Sequence, residues 1–164
     1  MLPYRSPAEA APVAPGPLQL DTDQPLGGQV QAGLNLWLPL KAPVQMPALL
    51  ATIASMQPEV DDALGSLDYV HFARFLPSKD FTALWVITTY DGDLQPYIMD
   101  FVGVLGDVFT SILYFIKEAP PLPVQRYARE FVDFIVRHNI NVPKPWSAYP
   151  ALTVIDIQML EARR

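Results

Sequence analysis

Residues 68–93 constrain the fold most, because polar and apolar residues alternate on both sides of a short polar turn. Residues 68–76 and 81–90 each predict a strand, and residues 77–80 have the composition of a hairpin turn. Asp93 follows as a good helix N-cap. The stretch therefore predicts an antiparallel hairpin that leads into a long helix, which we expect to run over residues 94–117.

The rest of the chain supplies further elements. Residues 29–40 predict a strand with four leucines on one face, and Pro39 indicates an edge position or a strand end. Helices are predicted from Pro47, over 58–64, over 124–139 and after Thr153, and a short last strand is predicted over 146–149. This order is the split βαβ order of a ferredoxin-like fold. We expect an α+β protein with a four-stranded antiparallel sheet and extra C-terminal helices.

The chain divides into two parts by composition. Residues 1–28 hold six of the eighteen prolines and predict an extended arm, since each proline fixes φ and removes a backbone donor. Residues 29–164 predict one ferredoxin-like domain. Its sheet would carry helices on one face only, so we expect a second sheet from a partner subunit to cover the other.

Composition excludes several classes of function. A net charge of −6 and a pI near 4.7 argue against nucleic-acid binding, which needs a basic surface. The absence of cysteine excludes disulfides, thiolate nucleophiles and Cys-based metal sites. The apolar stretch 98–116 contains Asp100 and Asp107, so we predict a buried helix without membrane insertion. With no secretory signal pattern at its start, we expect a soluble, cytoplasmic protein.

Four motifs resemble those of a family of small, uncharacterised ferredoxin-like proteins: LNLWLPLKAP, VHFARF, TYDGDLQPYIMDF and SAYPALTVIDI. The resemblance covers residues 34–160 and lies in the ordered set of HFARF, YDG and YPxLTVxxI motifs. The family that these motifs resemble is itself distantly similar to the dimeric α+β barrel superfamily, which includes dye-decolourising peroxidases and small monooxygenases. The resemblance implies a sheet face that can form a ligand cavity, and commonly a dimer. It carries over no catalytic residue.

His71, Arg74 and Asp91 are the candidate catalytic residues. On a regular strand His71 and Arg74 face opposite sides, so only a β-bulge would let both enter one pocket. His71 could act as an acid, a base or a metal ligand, and Arg74 could bind an anion. We favour the structural alternative, in which His71 has a satisfied hydrogen bond and Arg74 pairs with a carboxylate.

Asp91 and Asp93 flank a glycine where a strand passes into a helix. With Asp100 they could hold a cation or act as acid and base. We favour the simpler interpretation, in which Asp91 and Gly92 form the turn and Asp93 caps the helix. No metal site is predicted, because the two histidines lie far apart in sequence.

The candidate cofactor-binding residues are Trp37, Trp85, Tyr90 and His138. His138 falls on the apolar side of its helix, where it could be an axial haem ligand. A histidine near the end of a helix more often interacts with a backbone carbonyl and the helix dipole.

Two functional hypotheses follow. The first is a non-catalytic binding or interaction protein that forms a homodimer. The alternative is a small α+β-barrel enzyme or cofactor binder, for haem or another small-molecule ligand, with its pocket on the open sheet face.

Overall fold

The computed structural model describes residues 28–140 and 145–163, and these form an α+β structure around one antiparallel sheet. The strands are β1 (Gln31–Pro39), β2 (Val70–Pro77) and β3 (Ala83–Asp91). Their order in the sheet is β1-β3-β2, so β3 is central and β1 is an edge strand that ends at Pro39. The α+β class and the hairpin are confirmed, but the four-stranded ferredoxin-like sheet is wrong, since the described residues form three strands.

The predicted strand over residues 146–149 does not form. These residues lie in bends and irregular backbone between two prolines, Pro145 and Pro150, which have no N–H groups to donate to a ladder. In place of a paired strand, isolated backbone contacts join the edge of β1 to other segments. Val30 N donates to Pro150 O at 2.8 Å, and Leu36 forms an isolated bridge with Asn139. The predicted proline-rich arm over 1–28 lies outside the described residues, apart from Gly28.

Six helical segments accompany the sheet in the described part of the chain. They are a 3₁₀ turn (Pro43–Gln45) and the α-helices α1 (Met46–Ser55), α2 (Gln57–Gly65), α3 (Leu94–Leu113), α4 (Ala128–His138) and α5 (Val154–Glu161). The helix predicted to reach residue 117 ends earlier, because the chain turns there to meet the end of β1. Lys117 N donates to Pro39 O, and Lys41 N donates to Phe115 O.

The hydrophobic core lies between one face of the sheet and α1 to α4. The three leucines of β1 and Leu40, which directly follows the strand, are at most 2% exposed, as their alternating pattern predicts. They meet buried side chains of β3 and of the helices: Leu84, Val86, Met46, Leu49, Phe109, Phe131 and Phe134. At about 1.5–3 kcal/mol for each large side chain buried, this one-sided core dominates the stability of the fold. Within the described residues, the opposite face of the sheet, here called the open face, has no covering helix layer.

One helix, α3, is long and apolar enough to cross a membrane by length and composition, which is weak evidence for a membrane span. In the described structure 56% of its most apolar stretch is buried inside the protein. The buried side includes Tyr97, Phe101 and Phe109.

A tyrosine pair fixes the first turn of α3 on the sheet. The rings of Tyr90 and Tyr97 stack with centroids 3.8 Å apart, and both residues are buried. The hydroxyl of Tyr97 donates to Thr88 Oγ1 at 2.7 Å, so the burial of this polar group is compensated. Burial, together with the nearby charge of Asp93, raises the pKa of Tyr90 to about 12, and burial also raises the pKa of Tyr97.

We therefore predict an alkaline loss of stability that depends on Tyr90. A tyrosine whose pKa is raised on folding stabilises the folded state fully below the unfolded pKa of about 10, and this contribution disappears as the pH rises from about 10 through 12. Tyr90→Phe keeps the stacked ring and removes the titrating group. Chemical denaturation between pH 8 and 12 should show a smaller fall in the free energy of unfolding for the variant. An equal fall in both proteins would contradict the assignment.

Candidate functional site at the end of the sheet

A β-bulge in β2 decides where His71 points. Val70 lies opposite Tyr90 and Phe72 lies opposite Thr89, so His71 is an extra residue between two consecutive pairs. The bulge turns the His71 side chain to the open face, which Phe72 and Arg74 also occupy. The strand is therefore not regular at this point, and the β-bulge is the exception stated above that allows His71 and Arg74 to lie on the same side.

His71 and Asp91 form a buried pair at the end of the open face. His71 Nε2 lies 2.7 Å from Asp91 Oδ1, and the two side chains are 7% and 9% exposed. The second carboxylate oxygen, Oδ2, accepts a hydrogen bond of 2.8 Å from the backbone N–H of Val154, the first residue of α5. One carboxylate thus links the bulge of β2 to the N-terminus of α5, where the helix dipole favours negative charge. We call this arrangement the Asp91 clamp.

Gln31 extends the clamp to β1. It lies opposite Asp91 in the sheet and is 7% exposed. Its side-chain amide donates to Tyr149 O at 3.1 Å and to Leu152 O at 2.9 Å. The segment before α5 is therefore held by β1, and α5 itself is held by β3.

The clamp joins three of the motifs noted in the sequence. HFARF contributes His71, YDG contributes Asp91, and YPALTV contributes the backbone groups of Tyr149, Leu152 and Val154. These segments are 20 and 63 residues apart in the chain. The three segments therefore meet at one point of the structure.

Residues at the start of α5 also cap the helix with their own side chains. Thr153 and Asp156 form a capping box, in which Asp156 N donates to Thr153 Oγ1 and Thr153 N donates to the Asp156 carboxylate. The predicted cap at Thr153 is confirmed. Hydrogen bonds to Thr153 favour the charged form of the Asp156 carboxyl, and its pKa is lowered.

Arg74 stands on the open face without a partner. It is exposed and forms no hydrogen bond or ion pair within the part of the chain that the structure describes. Phe72, which is 72% exposed, and Leu76, which is 40% exposed, lie on the same side of β2. We call these three residues the β2 strip. The expected pairing of Arg74 with a carboxylate is not found among the described residues.

The candidate cofactor residues do not converge. Trp37 and Trp85 lie opposite each other on the open face, with ring centroids 4.7 Å apart in an edge-to-face arrangement. Tyr90 lies on the other face, in the core. His138 ends α4, where its Nδ1 donates to Phe134 O at 2.9 Å and its ring stacks on Phe134. This is the carbonyl interaction favoured for His138 above, and haem binding stays a prediction.

The carboxylates of Asp91, Asp93 and Asp100, near the start of α3, have different contacts. Gly92 has a φ of +89°, as the turn requires, and Asp93 occupies the N-cap position of α3 without a side-chain cap bond. Asp100 accepts a hydrogen bond of 2.7 Å from the Tyr69 hydroxyl. No group of three metal-ligating side chains occurs in residues 28–140 and 145–163.

A groove of about 650 Å³ lies away from all of these residues. It runs between the loop over 118–121 and α4, and its charged lining side chains are Glu118, Glu130, Asp133 and Arg137. None of the sequence-predicted site residues lines it, so it provides no pocket for His71, Arg74 or the tryptophans.

No protein-family model, curated protein or solved structure matches this chain. The resemblance to a ferredoxin-like family therefore stays a prediction. The function has to be inferred from the chain's own contacts.

Sequence reasoning missed Gln31 and the backbone N–H of Val154. A single glutamine in a strand has no distinctive pattern, and a backbone group has no side-chain signal. The SAYPALTV motif is the sequence signal in this segment, and its residue types indicate a strand and a helix cap, not a contact with Asp91.

We predict that Asp91→Ala destabilises the fold by about 3 kcal/mol, because it leaves buried His71 and the N–H of Val154 without their partner. Asp93→Ala is a matched control two residues away, since the Asp93 side chain makes no cap bond. It should change the free energy of unfolding by roughly 0.5 kcal/mol or less. Urea denaturation measures both variants, and equal effects would contradict the clamp.

Proposed function

We propose that this chain is a non-catalytic binding module that forms a homodimer through the open face of its sheet. The observation that carries the proposal is the β2 strip, in which a largely exposed phenylalanine and an exposed leucine flank an unpaired arginine. Phenylalanine and arginine are enriched at the centres of protein interfaces. An exposed apolar strip on a sheet face typically marks an interaction surface.

The face of the sheet is a better interface than the free edge of β2. The strand begins with a bulge at His71 and ends at Pro77, which leaves a short regular stretch between them. Bulges and prolines are the features that prevent edge-to-edge pairing of strands. The exposed side chains of β2 point away from the edge and into the space above the open face.

The contacts of His71 support a binding role over catalysis. His71 and Asp91 bond to each other, and Asp91 also accepts a hydrogen bond from the first residue of α5. In the described residues no serine, threonine or lysine side chain bonds to either of them. A catalytic His–Asp pair would need a nucleophile or a substrate pocket within reach. Neither His71 nor Asp91 lines the groove beside α4.

A homodimer would cover the exposed apolar side chains of the open face. A two-fold interface uses the same patch on both copies, so each β2 strip would be covered once and no apolar strip would stay exposed. The cytoplasmic location stays a prediction.

We predict that the protein is a dimer at micromolar concentration and that Phe72→Ser shifts it to monomer. Each dimer loses two buried phenylalanine rings, each worth about 1.5–3 kcal/mol, so the dissociation constant should rise at least about 100-fold. Sedimentation equilibrium measures the change.

The matched control is Val44→Ser, which removes an apolar side chain that is 84% exposed in the 3₁₀ turn, outside the sheet. It should leave the dissociation constant unchanged. The proposal would be contradicted by a wild-type protein that stays monomeric at about 100 micromolar. It would also be contradicted if the Phe72→Ser and Val44→Ser variants had the same dimer dissociation constant.

A further inference from the structure

We propose that α5 of one copy packs across the β2 strip of the second copy, so that the two chains exchange their last helices. This inference rests on the homodimer proposed above. It identifies the element that covers the open face, and it assigns α5 a role that the contacts among the described residues do not provide.

The exposure of α5 is the first observation. Five of its eight residues are apolar, yet none is buried. The exposed fractions are 46% for Ile155, 38% for Ile157, 57% for Met159 and 52% for Leu160. An isolated helix this short is not stable in water, and most helical stability in proteins comes from packing of an apolar face. A surface outside the described chain is therefore needed to cover it.

The way in which α5 is attached is the second observation. The Asp91 clamp and the capping box fix its first residues. Beyond Val154, the remaining helix hydrogen bonds are internal, such as Ile157 N to Thr153 O and Ala162 N to Gln158 O. The helix is thus held rigidly at one end, beside the open face, while its apolar side chains remain available to another molecule.

Charge complementarity is the third observation. Arg74 on the β2 strip has no partner in the described residues, and Glu161 at the end of α5 has none either. Asp156 is already engaged by Thr153, so Glu161 is the acidic residue that α5 has free. In the dimer, Arg74 of one copy would therefore form an ion pair with Glu161 of the other copy. Apolar residues surround both side chains, which strengthens such a pair.

The available area suits a dimer of standard size. Phe72, Trp146 and Tyr149 are 72%, 88% and 64% exposed. Trp146 and Tyr149 lie in the segment that leads into α5. If the second copy covers them together with Phe72, then at roughly 150–250 Å² for each aromatic side chain that becomes buried, these three would supply about half of the ~800 Å² that each partner of a stable complex buries. The apolar residues of α5 and Leu76 add to this area.

A second copy fits better than a membrane surface as the occupant. Exposed tryptophan, tyrosine and an apolar helix also occur in proteins that bind lipid interfaces. Those surfaces gain affinity from clustered lysine and arginine, whereas this chain carries a net charge of −6. The single arginine of the β2 strip is matched by one free glutamate on α5, which is the balance expected of a self-complementary surface.

Cross-linking between two single-cysteine chains tests the exchange directly, because the natural chain has no cysteine. One chain carries Thr89→Cys, at the position opposite Phe72 on the open face, and the other carries Gln158→Cys on α5. Both positions are polar, so no apolar contact is removed. The two chains differ in mass through isotope labelling, are mixed, and are treated with a short bismaleimide.

The expected result is a covalent pair that joins residue 89 of one chain to residue 158 of the other, at least tenfold more abundant than the pair formed with a Val44→Cys control chain. A dimer that yields only pairs between two copies of residue 89 would overturn the exchange of α5 while leaving the homodimer intact. No cross-link above the control, with a monomer mass, would overturn both. The same result with co-sedimentation on phosphatidylcholine vesicles would assign the surface to lipid instead.

A double substitution on α5, Ile155→Gln with Met159→Gln, provides a second readout. It should raise the dimer dissociation constant at least tenfold while the free energy of unfolding of the monomer stays the same, since neither residue is buried within the chain. An unchanged dissociation constant would overturn the inference.

Discussion

The carboxylate of Asp91 is the contact on which the arrangement of the functional surface depends. One oxygen lies 2.7 Å from His71 Nε2, and the other accepts the N–H of Val154 at 2.8 Å. Without this group, the bulge of β2 would lose the partner of its buried histidine, and α5 would lose its attachment to the sheet. Removing one partner of a buried polar pair is costly because the other partner is left unsatisfied, so the pair disfavours arrangements in which His71 and Asp91 separate.

The sheet has two faces of different character, and the difference follows from the alternation of the strands. On the inner face the leucines of β1, the Tyr90–Tyr97 stack and the helices form a closed core. On the open face, polar contacts concentrate at one end, in the clamp, while β2 presents Phe72, Arg74 and Leu76 outward. The clamp places α5 beside this exposed surface. The binding role proposed above depends on this position of α5.

Local patterns predicted most of the elements correctly. The hairpin, the strand end at Pro39, the start of α3 after Asp93 and the cap at Thr153 are set by alternation, turn residues and caps, which are local in sequence. The ferredoxin-like order predicts a fourth strand over residues 146–149, and this prediction is wrong because the flanking Pro145 and Pro150 cannot donate hydrogen bonds to a strand ladder. The site was predicted in part. His71 and Asp91 were named, but the bulge that joins them and the backbone N–H of Val154 depend on tertiary contacts.

The most direct test of the link between the clamp and dimerisation is the dimer dissociation constant of Val154→Pro. Proline is favoured at the first position of a helix, and the extended backbone of Thr153 suits a residue before proline, so the variant removes only the N–H that donates to Asp91. If the clamp positions α5 for the second copy, the dissociation constant should rise about tenfold with the fold intact, as expected for the loss of one hydrogen bond to a charged group. An unchanged constant in a folded dimer would contradict this account.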